Sequence, residues 1–316
     1  MNTAPEANFL GLHPAPPDSP ALRALVQALR ERHGEGVNAI LFYGSCLRGG
    51  DLYDGLVDLY LIVDSYRACY PDRLGALANW LLPPNVFYTE IPQGGRTLRA
   101  KYAILSVADL LHGTSHRWFH SYLWGRFTQP TAVAWCRNES TRRQLNDALA
   151  SAVHTFLERI LPVVPAAGRV RDLWQQGLQL SYGAELRSEQ PGRSGVLTDA
   201  ALEYYCAATR LAAASLRYPL HIEGNSREAR YQARIPATRR RLGHVAWWLR
   251  RIQGKLLSIL RLLKALFTFD GGLDYLAWKL ERHSGQHIEI PERVRRYPLI
   301  FIWGLFWQLY RRGIFR

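Results

Sequence analysis

The sequence predicts an α+β fold: a mixed sheet with helices, then a mostly helical region, then a basic amphipathic C-terminal region. Apolar β-rich runs bounded by glycine and proline fill the first hundred residues. Apolar residues three and four apart dominate the middle, and arginine is mixed with tryptophan and leucine near the end. The expected divisions are a flexible lead-in at 1–20, a first domain at 21–106, a helical domain at 107–222 and the amphipathic region at 223–316.

The first domain is predicted from its start and stop signals. A Ser-Pro start and a glycine stop bound a helix over 19–34, and a second helical pattern covers 70–82. Two apolar runs separated by a glycine turn predict the first two strands, and two more follow around the turn residues "PQGG". These four strands are expected at 37–45, where the first one ends in the glycine turn, and at 55–64, 84–91 and 97–106.

The middle of the chain has helical periodicity, and the amphipathic region combines it with basic and aromatic residues. Helices are expected at 106–113, 142–162, 170–186 and 198–216. Within "KLLSILRLLKALF" the apolar side chains share one helical face, with Lys255, Arg261 and Lys264 off that face. That apolar face consists of Leu256, Ile259, Leu260, Leu263 and Phe267.

The C-terminal tail predicts contact with a membrane surface. Its uncharged run, residues 297–310, has 14 residues, fewer than the roughly 20 that span a bilayer as a helix. Tryptophan and phenylalanine flanked by arginine are typical of the membrane interface. A helix packed on the preceding domain and a tilted span are the alternatives. The expected membrane contacts are Trp247, Trp248, Phe301, Trp303, Phe306 and Trp307.

The net charge of +14 indicates an anionic partner: nucleic acid, an acidic membrane surface or a polyphosphate substrate. The four cysteines are widely spaced and form no CxxC pair, so neither a zinc site nor a disulfide framework is indicated, and a reducing compartment is expected. The N-terminus resembles neither a signal peptide nor a mitochondrial presequence. A bacterial cytoplasmic protein is the simplest interpretation.

The first domain contains a glycine turn and a strand aspartate at a spacing that is typical of a phosphate-binding site. Gly44 and Ser45 follow an apolar strand, and Asp58 lies 13 residues after Ser45 within the next strand. Amide and hydroxyl groups at a glycine turn can hold triphosphate oxygens, and a neighbouring strand carboxylate can hold the bridging divalent metal. The pattern resembles the motif of the DNA polymerase β-type nucleotidyltransferase superfamily. A second acid usually follows two positions later, where this chain has Tyr60.

The loop between the two strands offers other carboxylates. Asp51 and Asp54 are alternative metal ligands, although turn residues that bond the local backbone are an equally good interpretation of both. Asp64 shares a face with Asp58 but lies roughly 20 Å further along the strand. We therefore expect Asp64 to cap the strand end rather than to share a metal with Asp58.

Six segments in order resemble the mitochondrial-type CDP-diacylglycerol synthases, the translocator assembly and maintenance type of phosphatidate cytidylyltransferase. The resemblance runs from about residue 39 to about residue 298, and its segments are "YGSCLRGGD…LVDLYLIVD", "VFYTEI", "GGRTLRAKYAILSVADLLHG", "YLWGRFTQPTAV", "GLQLSYGAELRSE" and "GGLDYLAWKLERHSG".

This resemblance implies a peripheral membrane enzyme that condenses CTP with phosphatidic acid, using Mg²⁺ and releasing pyrophosphate. It implies a polymerase β-type nucleotidyltransferase domain, a winged-helix-like helical domain and a membrane-contacting C-terminal segment. We expect the chain on the cytoplasmic face of a bacterial inner membrane, bound to its anionic surface. No nucleic-acid partner is expected, and a homo-oligomer is left open.

The resemblance also assigns residues. It places Gly44 and Ser45 on the triphosphate, and Lys101 with Tyr102 in the strand that faces the nucleotide. It makes Glu185, where the family has Asp, the candidate second carboxylate, as metal ligand or as the base that orients phosphatidate. The remaining phosphate-binding residues that it implies are Arg126 and Arg187.

Two rival functions stay open. The Arg- and Trp-rich stretch 239–251 could bind RNA, which would favour an RNA-directed nucleotidyltransferase. The missing second acid at Tyr60 would instead fit a non-catalytic nucleotide-binding relative at the membrane.

Overall fold

The computed structural model describes residues 8–70, 72–186, 193–225, 227–268 and 288–296, with Leu273, Tyr275, Ala277, Trp278, Glu281, Gly304, Trp307 and Arg311. Within these residues the chain has an α+β fold built on a mixed five-stranded sheet, as the sequence predicts. A smaller three-stranded sheet accompanies the helices that follow. The winged-helix-like arrangement implied by the family resemblance stays a prediction.

The five-stranded sheet has the order β3-β4-β2-β1-β5. Strands β2 and β4 are parallel, and the other neighbours are antiparallel. Its first four strands confirm the predicted ones, whereas β5 lies in a segment that the sequence analysis did not assign to a strand. The strands are β1 (Val37–Tyr43), β2 (Val57–Val63), β3 (Asn85–Gln93), β4 (Arg96–Ser106) and β5 (Ala132–Cys136).

Helices cover both faces of this sheet and continue beyond it. The helix predicted over 198–216 is interrupted at Ala201, which separates α8 from α9. The helices are α1 (Pro20–His33), α2 (Tyr66–Cys69), α3 (Arg73–Leu81), α4 (Val107–Thr114), α5 (Trp124–Phe127), α6 (Glu139–Ile160), α7 (Val170–Gly183), α8 (Arg193–Ala200), α9 (Leu202–Ala213), α10 (Ala237–Thr268) and α11 (Glu292–Arg296). The small sheet, in the order β6-β8-β7, has β6 (Ala167–Arg169), β7 (Leu220–Glu223) and β8 (Arg230–Ala233).

The large sheet separates two hydrophobic cores because side chains alternate between its faces. On β2, Leu59 and Leu61 pack with α1 in one core, whereas Tyr60 and Ile62 join the helices of the other. Asp58 has the parity of Tyr60. Its carboxylate therefore lies on the face that meets the helical domain.

Helix α10, 32 residues long, crosses the molecule with charged side chains turned inward. Arg261 Nε donates to the Pro83 carbonyl at 3.2 Å, and Lys264 Nζ donates to the Pro84 carbonyl at 3.0 Å. Four side chains of its predicted apolar face are exposed to solvent: Leu256, Ile259, Leu260 and Leu263. The environment of the Phe267 side chain is not described. Among the helices that the structure describes, none combines the length and apolarity needed to cross a membrane.

Candidate active site

The glycine turn after β1 lies directly against the acid of β2. Gly44 has φ +92°, a backbone conformation that glycine adopts without penalty, and Ser45 after it is exposed. A Cβ built on Gly44 would stand 2.6 Å from Oδ2 of Asp58. The turn and the carboxylate are thus adjacent in space, as their spacing in the sequence predicts.

Lys101 completes this first cluster from the neighbouring parallel strand. It is the register partner of Asp58, and its Nζ lies 3.3 Å from Asp58 Oδ1. Burial alone lowers the pKa of Lys101, but the nearby Asp58 carboxylate, with Tyr43, outweighs it, so the pKa is raised and the ammonium stays charged. An acid and a cation therefore stand side by side on the sheet face.

Tyr60 occupies the position where the superfamily usually has a second acid. Its ring packs between those of Tyr43 and Phe127, with centroid distances of 5.0 and 4.9 Å. Burial raises the pKa of its hydroxyl well above the ordinary value, so the phenol stays neutral. The structure fills this position with a core side chain, which leaves Asp58 as the acid that β2 supplies to the site.

A second charged pair faces the first one from the helical domain. Arg126 of α5 lies 3.7 Å from Glu185, which follows α7, and both side chains are largely buried. Burial opposes the charge on Arg126, but Tyr60, Tyr122 and Glu185 outweigh it and raise its pKa. The Arg126 guanidinium also lies 5.9 Å from the Tyr43 ring. Because Tyr43 pairs with Asp58 in the sheet, the two clusters are adjacent.

Helix α10 adds one cation that the sequence did not place at the site, Arg261, and Lys264 follows it one turn further along the helix. The Arg261 guanidinium lies 4.1 Å from the centre of the Tyr122 ring. Burial lowers the pKa of Arg261, and the nearby Tyr122 and Glu185 oppose that effect in part. Burial, assisted by Arg261, lowers the pKa of Lys264 to about 7. The signal in the sequence was their spacing of three, off the apolar face of the helix.

The positions of the carboxylates determine how Mg²⁺ could bind. In the described part of the chain, no three His, Cys, Asp or Glu side chains come together as a metal cluster. Asp51 is committed elsewhere, because it accepts from the Tyr53 amide and pairs with Arg96 at 3.2 Å, and Asp54 is exposed in the same turn. Mg²⁺ commonly takes one or two carboxylates plus substrate phosphates and waters. Asp58 fits that kind of site, shared with a nucleotide.

Tyr102 lies away from the site, Asp64 lies at the strand end as the sequence predicts, and one expected residue lies outside the described residues. Tyr102 was expected beside Lys101 but points to the opposite sheet face, because neighbours in a strand alternate. Its hydroxyl lies 3.1 Å from His33 Nε2. Asp64 pairs with Arg137 at 3.1 Å and takes a structural role at the strand end. Arg187 is not among the described residues.

The six expected membrane contacts fall into three groups: one is buried, two are exposed and three lie outside the described residues. Trp247 is 3% exposed and donates its ring N–H to the Arg159 carbonyl, so this expectation is corrected: Trp247 is a core residue. Trp248 and Trp307 are each more than 60% exposed. The other three, Phe301, Trp303 and Phe306, lie outside the described residues.

Comparison with known proteins gives a distant likeness. No protein-family model matches the chain, and no curated protein matches it. Among solved structures, it is similar to a nucleotidyltransferase-like protein from Exiguobacterium sibiricum, with 12% identity over 93% of this chain and 91% of the other, at a TM-score of 0.23. Neither the identity nor the TM-score is high enough to carry an assignment.

Proposed function

We propose that this protein is a nucleotidyltransferase that joins the cytidylyl group of CTP to phosphatidic acid at a membrane surface. The observation that carries the proposal is the cluster of Gly44, Asp58 and Lys101, in which a glycine turn, a strand acid and a strand cation meet on one sheet face. The choice of CTP and phosphatidic acid rests on the sequence resemblance.

The residues of the cluster have separable roles in this proposal. The exposed hydroxyl of Ser45 donates to a triphosphate oxygen, and the bare Cα of Gly44 lets the chain turn beside the carboxylate. Lys101 neutralises Asp58 before substrate arrives and offers its charge to phosphate afterwards. Asp58 would hold Mg²⁺, which would supply positive charge to the phosphates.

Arg126 and Glu185 are proposed to hold the acceptor side of the site. Arg126 Nε is buried and has no hydrogen-bond partner within the described residues, so it has capacity for a phosphate oxygen. Glu185, 3.7 Å away, holds this guanidinium in place. Whether Glu185 also reaches the metal, as the resemblance implies, is part of the same proposal.

An amphipathic surface supports the membrane as partner. Helix α10 packs on α3, and both expose apolar side chains next to exposed basic residues such as Arg251 and Lys255. Such a surface binds anionic lipids through apolar burial and charge together. We propose peripheral attachment at the cytoplasmic face of a bacterial inner membrane. The apolar side chains on this surface include Leu74, Leu77, Trp80, Trp248, Ile252, Leu256 and Leu262.

The test is a turnover assay with CTP, Mg²⁺ and phosphatidic acid in mixed micelles. Asp58→Asn should lower the rate at least about 100-fold, since it removes a charge that acts on the reacting phosphates. Asp64→Asn is the matched control, because it makes the same change in an acid just after the same strand, where the partner is Arg137. This control should keep its rate.

The other outcomes are informative. Product that forms equally well in Asp58→Asn would mean that the reaction occurs without this site. CTP binding without turnover in the wild type would favour a non-catalytic nucleotide-binding protein. Incorporation of label into RNA instead of lipid would favour the RNA-directed alternative.

A further inference from the structure

A cavity of about 280 Å³ lies between α10, the C-terminal end of α6 and the segment that follows α9. It shares no residue with the candidate active site described above. Helix α10 reaches it with one face, on which Gly243 packs closely against Pro162. The polar side chains of its wall are His116, Glu158, Arg159, Arg217, Arg239 and Arg250.

Arg250 is the most deeply buried of these side chains, with 0% exposure. Its Nε donates to the Phe119 carbonyl at 2.7 Å, and the guanidinium lies 4.4 Å from the Phe119 ring and 4.6 Å from the Trp247 ring. Both terminal nitrogens, Nη1 and Nη2, are buried without a hydrogen-bond partner in the described part of the chain. The aromatic rings stabilise the cation through its face, but they do not accept its in-plane N–H groups.

The side chains around the cavity carry an excess of positive charge. Four arginines line it against one carboxylate, that of Glu158. Glu158 is already engaged, since it accepts from the Arg217 amide at 2.9 Å and lies 3.7 Å from His116. Arg159 donates to the His116 carbonyl at 2.8 Å, while its Nε is buried without a partner among the described residues. Burial, assisted by Arg159, lowers the pKa of Arg250 to about 9.

Buried arginines are normally paired with carboxylates or anionic ligands, because an uncompensated charge is costly to desolvate. Here several N–H donors converge on a cavity too small for a drug-sized ligand. Guanidinium groups match the tetrahedral oxygens of phosphate with two parallel hydrogen bonds. The cavity thus has the charge, the donors and the size for a phosphate group.

We propose that this cavity is a second anion site, which binds the phosphate group of a small phosphate compound or of a lipid headgroup. This inference goes beyond the proposed function and does not depend on it. The headgroup source has a structural basis: Leu242, which lines the cavity, is 59% exposed and belongs to the same helix as the apolar surface.

The experiment measures phosphate binding by calorimetry, with sodium chloride at matched ionic strength as the blank. Arg217 and Arg239 are exposed at the cavity, so Arg217→Ala combined with Arg239→Ala should leave folding intact. This pair should weaken phosphate binding at least about tenfold, the effect of losing one charge-assisted hydrogen bond. The control pair, Arg241→Ala with Arg251→Ala, removes the same charge from exposed positions of α10 that do not line the cavity.

Two further variants locate the binding. Lys101→Ala should keep phosphate binding to the cavity, because it changes the candidate active site alone. Arg250→Met should fold at least as stably as the wild type without phosphate, since it removes an unpaired buried charge, and should lose the stabilisation that phosphate gives.

A vesicle arm identifies the source of the phosphate. Vesicles of phosphatidylcholine with and without phosphatidic acid are compared for the cavity pair and the control pair. If the cavity pair loses binding to phosphatidic acid vesicles but still binds inorganic phosphate, the ligand is a lipid headgroup. If it loses binding to inorganic phosphate but still binds the vesicles, the ligand is a soluble phosphate compound. Either result supports the site. Phosphate binding that is absent, or that is lost in Lys101→Ala and kept in the cavity pair, overturns the proposal.

Discussion

Gly44 and Asp58 are in direct contact across the turn between β1 and β2, since a Cβ on Gly44 would stand 2.6 Å from Asp58 Oδ2. Glycine is required here for two reasons. A side chain would collide with the Asp58 carboxylate, and the φ of +92° is a backbone conformation that other residues rarely adopt. The ion pair with Lys101 engages the other carboxylate oxygen, Oδ1, at 3.3 Å. The turn therefore shapes the site rather than merely joining two strands.

We expect Gly44→Ala to abolish nucleotide binding, because the new methyl group must displace the Asp58 carboxylate. Gly49→Ala is the matched control: Gly49 has φ +102°, but a Cβ there meets nothing within 4 Å. Both variants should lose about 1 kcal/mol of stability from backbone strain. Titration with CTP and Mg²⁺, alongside denaturant unfolding, separates the two effects. Equal losses of binding in both variants would contradict the role of the contact.

Glu185→Gln should lower the free energy of unfolding by about 1–3 kcal/mol, because the largely buried Arg126 loses its carboxylate partner. Glu203→Gln, on an exposed position of α9, should change stability little. The measurement is urea unfolding of both variants. Unchanged stability together with a large loss of turnover would show that Glu185 acts on the metal or the substrate instead.

Trp247 and Trp248 are neighbours with opposite environments. Trp248→Ala should weaken binding to phosphatidic acid vesicles and leave the melting temperature unchanged, because its side chain is 61% exposed. Trp247→Ala should destabilise the fold by about 3–5 kcal/mol, since its buried ring and N–H lose their contacts. Vesicle sedimentation and thermal unfolding are measured for both. Vesicle binding that is unaffected by Trp248→Ala would place the membrane contact elsewhere.

Acid stability should depend on His120, which is buried against α10. Burial, with Arg261 and Arg250, lowers the pKa of His120 to about 3. The unfolded chain takes up this proton near pH 6.5 and the folded chain does not, so stability falls as pH drops from about 6.5 to about 3. The slope from this residue is at most about 1.4 kcal/mol per pH unit.

His120→Gln should remove this part of the acid sensitivity. The measurement is the free energy of unfolding of wild type and variant at pH 5, 6 and 7. His221→Gln, which makes the same change in an exposed histidine of β7, is the control. Parallel pH profiles for the wild type and His120→Gln would contradict the assignment.

Local rules in the sequence were enough to predict the first four strands of the large sheet, the glycine turn and the position of Asp58. The structure corrects the grouping of Lys101 and Tyr102 at the phosphate, because side-chain alternation along β4 places the two on opposite faces of the sheet. β5 was not predicted, because its five residues carry no pattern that separates a strand from the helical segments around it.

The sequence by itself determined the strands and the spacing of Gly44, Ser45 and Asp58, because these depend on neighbouring residues and on a period of two. Only the tertiary structure decided how α10 is rotated. That rotation buries Trp247 and Arg250, exposes Trp248 and turns Arg261 toward Tyr122. Helical periodicity defines an apolar face but not which face packs inward, since packing against distant elements sets the orientation.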